Sequence, residues 1–214
     1  TIMNDSRSHV ESIVEGEQTV YGINTGFGSL SNVRIAPDEL ELLQRNLVLS
    51  HACGIGEPMA PVATLRMMAI RANSLAKGAS GIRPEVVDTM LHLVNSMNAP
   101  VVPKIGSLGA SGDLAPLAHM AMALIGEGQF QSFMKGSWSM RTSSAVFKSI
   151  NRDPVVLKAK EGLSLINGTS QMCAYLAEAT NLSDKLSRSA DAACAMSVEA
   201  IAGSHKPFDE RIHA

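Results

Sequence analysis

Apolar residues spaced three and four apart dominate this chain, and they predict a protein built mainly of α-helices. Leu40, Leu43 and Leu47 share one face of a segment that Pro37-Asp38-Glu39 opens with acidic residues in its first turn. It ends near Ser50-His51, where Gly54, Gly56 and Pro58 interrupt the pattern. Leu65, Met68, Ala72 and Leu75 mark the next helix, which Lys77-Gly78 closes. Pro84-Glu85 starts another, with Val86, Met90, Leu93, Val94 and Met97 on its expected buried side. From about Asp113 to Ile125 the run is apolar nearly all round, which predicts a central rather than a peripheral helix. A long Ala-rich helix follows from about residue 170 to Ala202, ended by Gly203 and Pro207. Met172, Leu176, Met196 and Ile201 are among its expected buried positions.

Shorter pieces fill the intervals. Residues 4–15 read as an amphipathic edge helix and Asn32 to Ile35 as a brief extended piece. Gln129 to Met140 reads as a hairpin turning at Lys135-Gly136, and Ser143 to Ile150 as a short polar helix before a turn at Asp153-Pro154. Val20–Gly28 and Glu161–Thr169 read as compact loops, and Pro100 and Pro103 frame a rigid approach to a third, Gly106–Leu117. With no internal repeat, heptad array or low-complexity linker, residues 1–214 are expected to form a single domain. Its parts are residues 1–128, a hairpin and loop over 129–169, and the start of a helix bundle over 170–214.

Composition narrows the classes. Hydrophobic residues make up 45% of the chain against 18% charged, which describes an ordered globular protein. The formal net charge of −2 leaves no basic footprint for nucleic acid and no polybasic membrane patch. Cys53, Cys173 and Cys194 form no CxxC pair, so a reduced, cytoplasmic setting is expected and a zinc site is not. The glycines at 22, 26 and 28 miss the dinucleotide-binding spacing and no GK[ST] occurs, so no nucleotide is expected. The chain opens at Thr1 and stops inside a continuing pattern, which reads as a piece of a longer protein.

Candidate chemistry gathers at Gly106-Ser107-Leu108-Gly109-Ala110-Ser111-Gly112-Asp113-Leu114-Ala115-Pro116-Leu117. Within it, the Gly112 amide nitrogen can attack the Ala110 carbonyl carbon and close a five-membered ring. Loss of two waters, one carrying the Ser111 hydroxyl, leaves an electrophilic methylidene conjugated to an imidazolone. Gly permits the bent backbone, Ser carries the leaving group and Ala adds little bulk. The same tripeptide also reads as an ordinary helix-capping turn, and Ala79-Ser80-Gly81 repeats it before another helical pattern.

Three separated segments, Val20–Gly28, Gly106–Leu117 and Glu161–Thr169, together resemble the aromatic amino-acid ammonia-lyase family, whose members use 4-methylideneimidazol-5-one (MIO). Gln44-Arg45-Asn46-Leu47-Val48-Leu49-Ser50-His51 and Pro207-Phe208-Asp209-Glu210-Arg211-Ile212-His213 are similar to its histidine-acting branch. The resemblance covers essentially the whole chain and implies a helical ammonia-lyase/fumarase-like fold. It implies that Ala110, Ser111 and Gly112 form MIO, leaving Ala79-Ser80-Gly81 as a structural turn. Tyr21 is implied to be the base that takes the substrate β-proton, where its residue-level alternative is a hydroxyl anchoring a turn. Asn167 is implied to sit against the cofactor and the substrate carboxylate, the alternative being an Asn in a left-handed turn before Gly168. His51 is implied to bind the substrate imidazole, the alternative being a C-terminal helix cap. His119 reads as a buried structural residue bonded to backbone or a neighbour. The implied reaction is loss of ammonia from L-histidine to give trans-urocanate, in a homotetramer. Other implied readings are a tyrosine or phenylalanine lyase, an aminomutase, or a non-catalytic fragment, since family members run to roughly twice this length or more.

Overall fold

The computed structural model describes residues 1–213. Helix α1 (Ile2–Glu15) lies at the edge, burying only Arg7 and Val10, and the Asn4 N–H donates to Thr1 Oγ1 at its start. A 3-10 turn at Pro37–Glu39 leads into α2 (Leu40–His51). Strand β1 (Ile55–Pro58) precedes α3 (Pro61–Ala76) and α4 (Pro84–Asn95). A proline begins each of these two helices, where its missing N–H leaves no bond unmade. Strands β2 (Asn98–Pro100) and β3 (Pro103–Ile105) carry the chain to α5 (Leu114–Leu124). Strands β4 (Gln129–Met134) and β5 (Ser137–Thr142) follow, then α6 (Ser143–Ser149), α7 (Glu161–Ile166) and α8 (Ser170–Ala200). The chain divides into two compact units, Thr1–Ala174 and the segment from Tyr175 onward.

In the first unit α5 is the hub that its all-round apolar sequence predicts. Leu117, Ala118, Met120, Ala121, Ala123 and Leu124 are completely buried. Each such Leu or Met removed from water contributes about 1.5–3 kcal/mol. Helices α2, α5 and α7 pack on one another, while α3 packs on α4.

The hairpin is present and extends to Thr142, with Met134 opposite Ser137 and Gln129 opposite Thr142. Lys135 (φ 51°) and Gly136 (φ 85°) supply the two left-handed residues of a primed turn, the kind whose twist matches the strands. Strand β2 pairs antiparallel with β4, a partner the sequence did not reveal because three residues ending in proline show no alternation. Strands β1 and β3 form a separate antiparallel pair that sets Ile55 opposite Ile105. The hairpin delivers Thr142 to the start of α6, where its Oγ1 accepts the Ala145 N–H at 3.3 Å. Thr142→Ala is expected to cost about 1 kcal/mol, read as a lower urea midpoint at unchanged slope.

Several expectations are corrected. Glu161–Thr169 is not simply a loop, because Glu161–Ile166 is helical. Six residues are too few to show a helical period, and partners from elsewhere complete the turn. Gln44 Oε1 accepts the Gly162 and Leu163 N–H groups at 2.9 and 3.3 Å. Met97 does not continue the buried stripe of α4, which ends at Asn95; it sits at φ 54° and is partly exposed. Asn32 to Ile35 makes no strand, only an isolated bridge between Thr25 and Arg34. Met172, Leu176, Met196 and Ile201 are exposed rather than buried. Helix α8 buries only Ser170, Gln171 and Ala174, so most of its apolar side chains are exposed.

The second unit continues α8 and ends in 3-10 turns at Lys206–Phe208 and Glu210–Ile212. No helix among the described residues is long and apolar enough to cross a membrane.

Candidate active site

Tyr21 stands on a turn knotted by Asn24, which is buried. Asn24 Oδ1 accepts the Val20 N–H at 2.8 Å, and its Nδ2 donates to Gln18 O at 2.7 Å and Ile13 O at 3.3 Å. The Gly22 N–H donates to Thr25 Oγ1 at 3.2 Å. Gly22 has φ +77°, and a Cβ there would come within 2.6 Å of Leu163 Cδ2, so the turn lies directly on α7. The Tyr21 ring is exposed and meets the Phe27 ring edge-on at 6.0 Å.

The two Ala-Ser-Gly turns differ in what their backbones are doing. At Ala79-Ser80-Gly81 the glycine N–H and the serine carbonyl are engaged. The Gly81 N–H donates to Ser6 Oγ at 3.1 Å, and Ser80 O accepts from Lys160 Nζ and Ser164 Oγ, both at 2.8 Å. At Ala110-Ser111-Gly112 a bond from the Leu108 N–H to Gly112 O, 3.1 Å long, closes a loop with Ala110 and Ser111 at its tip. The Gly112 N–H has no hydrogen-bond partner among the described residues. Gly112 takes φ +80°, and Ala110 is exposed. The nitrogen that ring closure needs is therefore unengaged, on a residue without side-chain bulk. These residues fit formation of the expected cofactor, whereas at the duplicate turn the corresponding N–H is engaged by Ser6.

Asp113 joins this loop to the start of α8. Although it stands at the N-cap of α5, its side chain does not cap that helix. Instead Asp113 Oδ2 accepts the Gln171 N–H at 2.5 Å and the Met172 N–H at 3.3 Å, capping α8. Burial pushes the Asp113 carboxyl above its ordinary value, opposed by those two N–H bonds and by the charge of Arg71. A Cβ on Gly112 would lie 2.9 Å from Met172 Sδ, so the Ala110-Ser111-Gly112 loop rests on the first turn of α8. From α3, buried Arg71 donates through Nη2 to Asn167 O at 2.7 Å and also to Ser164 O. Burial lowers the Arg71 pKa to about 10, against the raising effect of Asp113. Asn167 itself has φ −98° and ψ 103°, which is not the left-handed turn allowed for above, and it is exposed.

His51 closes α2, its Nδ1 2.9 Å from Leu47 O and 3.1 Å from Ser50 Oγ. A carbonyl can only accept, so Nδ1 carries the proton, and Nε2 of the neutral ring is left as an acceptor. Three residues on, Gly54 packs against the loop entrance: a Cβ on Gly106 would lie 3.1 Å from Gly54 Cα. The Gly54 N–H donates to His119 Nε2 at 3.0 Å, which is the backbone-bonded role expected of His119.

Burial lowers the His119 pKa from its ordinary 6.5. A proton taken up on unfolding makes acid favour the unfolded state, so the neutral ring's contribution is present above pH about 6.5 and is lost as pH falls through the lower folded value. Unfolding midpoints measured from pH 8 to pH 5 should show this decline, and His119→Gln should flatten it.

Contacts thus tie the Tyr21 turn to α7, the Asn167 turn to Arg71 and α3, and the Ser111 loop to α8. The His51 end of α2 meets the loop's entrance. Sequence reasoning missed Gln44 and Arg71 as organisers of the site. Their signal was present: each is a polar residue on a buried helical stripe, Gln44 between Leu40 and Leu47, and Arg71 between Met68 and Leu75. Among the described residues no three His, Cys, Asp or Glu side chains gather as a metal ion would require.

Comparison with known proteins gives this arrangement its relatives. The chain is 48% identical over 211 residues to a histidine ammonia-lyase of Vibrio vulnificus (strain YJ016), covering 99% of this chain and 40% of that protein. It superposes on the crystal structure of histidine ammonia-lyase from Trypanosoma cruzi with a TM-score of 0.89 at 40% identity, over 99% of this chain and 40% of the other. Pantoea agglomerans phenylalanine aminomutase matches with a TM-score of 0.83 at 30% identity, with the same coverage. The chain therefore spans about 40% of the length of the relatives it matches. The sequence model of aromatic amino acid lyases matches residues 1–214 throughout, and the chain belongs to the aromatic amino acid lyase family.

Proposed function

We propose that the protein of which this chain is part eliminates ammonia from L-histidine to give trans-urocanate, using MIO formed from Ala110, Ser111 and Gly112. The observation that carries this reading is the contrast between the two Ala-Ser-Gly turns. One has its glycine N–H bonded to Ser6, while the other has a glycine N–H without a partner among the described residues, in a loop packed on the first turn of α8. Histidine as substrate is supported by the histidine ammonia-lyases among its relatives and by the acceptor nitrogen of His51.

When formed, MIO supplies an electrophile for the substrate amine, making it a better leaving group. The chain's own residues supply the rest. The phenol of Tyr21 takes the β-proton; with an ordinary pKa near ~10, it requires a site that favours the phenolate. The Asn167 amide donates to the substrate carboxylate or the ring oxygen. His51 Nε2 accepts the N–H of the substrate imidazole. The N-terminus of α5 directs its positive end toward developing negative charge. The exposed apolar residues Leu176, Leu182 and Leu186 on α8 suit a helix bundle in a homotetramer, and three free thiols suit a reducing cytoplasm.

The full-length protein should be lighter than its sequence mass by two waters and should release urocanate. A full sequence mass would sink the cofactor assignment. The aminomutase among its structural relatives favours one second reading. Assaying L-histidine, L-tyrosine and L-phenylalanine side by side separates them, since a mutase yields a β-amino acid.

A further inference from the structure

Helix α3 carries a guanidinium into the core at a position where its periodicity asks for an apolar side chain. Arg71 is 6% exposed, on the same stripe as Met68 and Leu75. A buried cation is costly unless its donors are met and its charge is opposed. Asp113 supplies the opposing charge. The donors of Nη2 go to Asn167 O and Ser164 O, carbonyls at the end of α7 that no further helical turn can satisfy.

The surrounding backbone is shaped to this side chain. A Cβ on Gly168 would come within 2.2 Å of Arg71 Nη1, so the residue after Asn167 must lack a side chain for the guanidinium to lie where it does. Nη2 therefore ties the Asn167 carbonyl to α3, while Asp113 holds the first turn of α8.

We propose that Arg71 is the positioning residue for Asn167, holding that residue's carbonyl so that its amide faces the Ala110-Ser111-Gly112 loop. This rests on the reading of Asn167 given above. A residue that only glued α3 to α7 would affect stability without any special relation to Asn167.

The test uses the full-length protein and L-histidine, with kcat expressed per chain that has lost two waters. Arg71→Lys keeps the charge but offers a compact ammonium in place of a planar fork. It is expected to lower kcat by about 10²-fold, with KM little changed, because small misplacements of a positioning group carry penalties of that order. Combined with Asn167→Ala, it should cost nothing more than Asn167→Ala alone, since both act through one amide. Wild-type kcat in Arg71→Lys overturns the proposal, and so do losses that multiply in the double variant. Wild-type kcat in Asn167→Ala would instead sink the assignment of Asn167, and this proposal with it. If Arg71→Lys does not fold, Gly168→Ala displaces the guanidinium from the opposite side and is judged by the same two criteria. If neither variant folds, the role of Arg71 is structural and the proposal is overturned.

Discussion

Replacing Ser111 with alanine in the full-length protein is expected to abolish urocanate formation, lowering kcat by about 10³-fold or more, as losing an obligatory reacting group does. The variant chain should also fall short of its sequence mass by no more than one water, because no side-chain hydroxyl remains to leave as the second. Its fold should survive. Ser111 is only half-buried on an irregular loop, and the bond from the Leu108 N–H to Gly112 O involves no side chain. Ser80→Ala is the matched control: same tripeptide, same substitution, but a glycine N–H already engaged by Ser6. It should lose two waters as the wild type does and retain turnover. Substantial turnover by Ser111→Ala, or failure of Ser80→Ala to mature, would refute the assignment of the reactive turn.

The largest expected loss of stability comes from Glu161→Ala. Glu161 is completely buried at the start of α7. It accepts the Arg83 N–H at 3.0 Å, Arg83 Nε at 2.8 Å, Arg83 Nη2 at 2.7 Å and the Lys158 N–H at 2.8 Å. Its hydrogen bond is the main cause that raises the Arg83 pKa, and Arg7 approaches to 3.9 Å. Truncating the carboxylate leaves these donors facing a small apolar side chain. Removing one partner of a buried ion pair typically costs about 3–5 kcal/mol. The expected result is a strongly lowered unfolding midpoint. Amide exchange at Gly162 and Leu163 should accelerate at the same time, because α7 loses the anchor at its first residue. An unchanged midpoint would mean that the pair is offset by the desolvation of its charges.

How much of this could be read without coordinates depended on the range of the interactions involved. The period of α3, the all-apolar run of α5 and the Lys135-Gly136 turn are local facts, settled by residues within a few positions of each other. The six-residue helix α7 was read as a loop because what completes it, Gln44 and Glu161 with Arg83, comes from positions about 80 to 120 residues distant. Met172 and Leu176 were assigned to a core by their apolar character, but character alone cannot supply the neighbour that would cover them.

The sequence by itself determined the helical class, the hub role of α5, the hairpin and the set of residues able to do chemistry, because these follow from periodicity, turn stereochemistry and functional groups. It offered two identical Ala-Ser-Gly turns and, from the residues alone, no means of choosing between them. Only the tertiary structure distinguishes their backbones, since whether a glycine N–H is bonded or free depends on where Ser6 happens to fold. It likewise decided that Asp113, the residue after Ala110-Ser111-Gly112, caps α8 instead of its own helix, and that a buried arginine from α3 holds the carbonyl of Asn167. Capping and clamping act through space, and their partners lie 58 and 96 residues away along the chain.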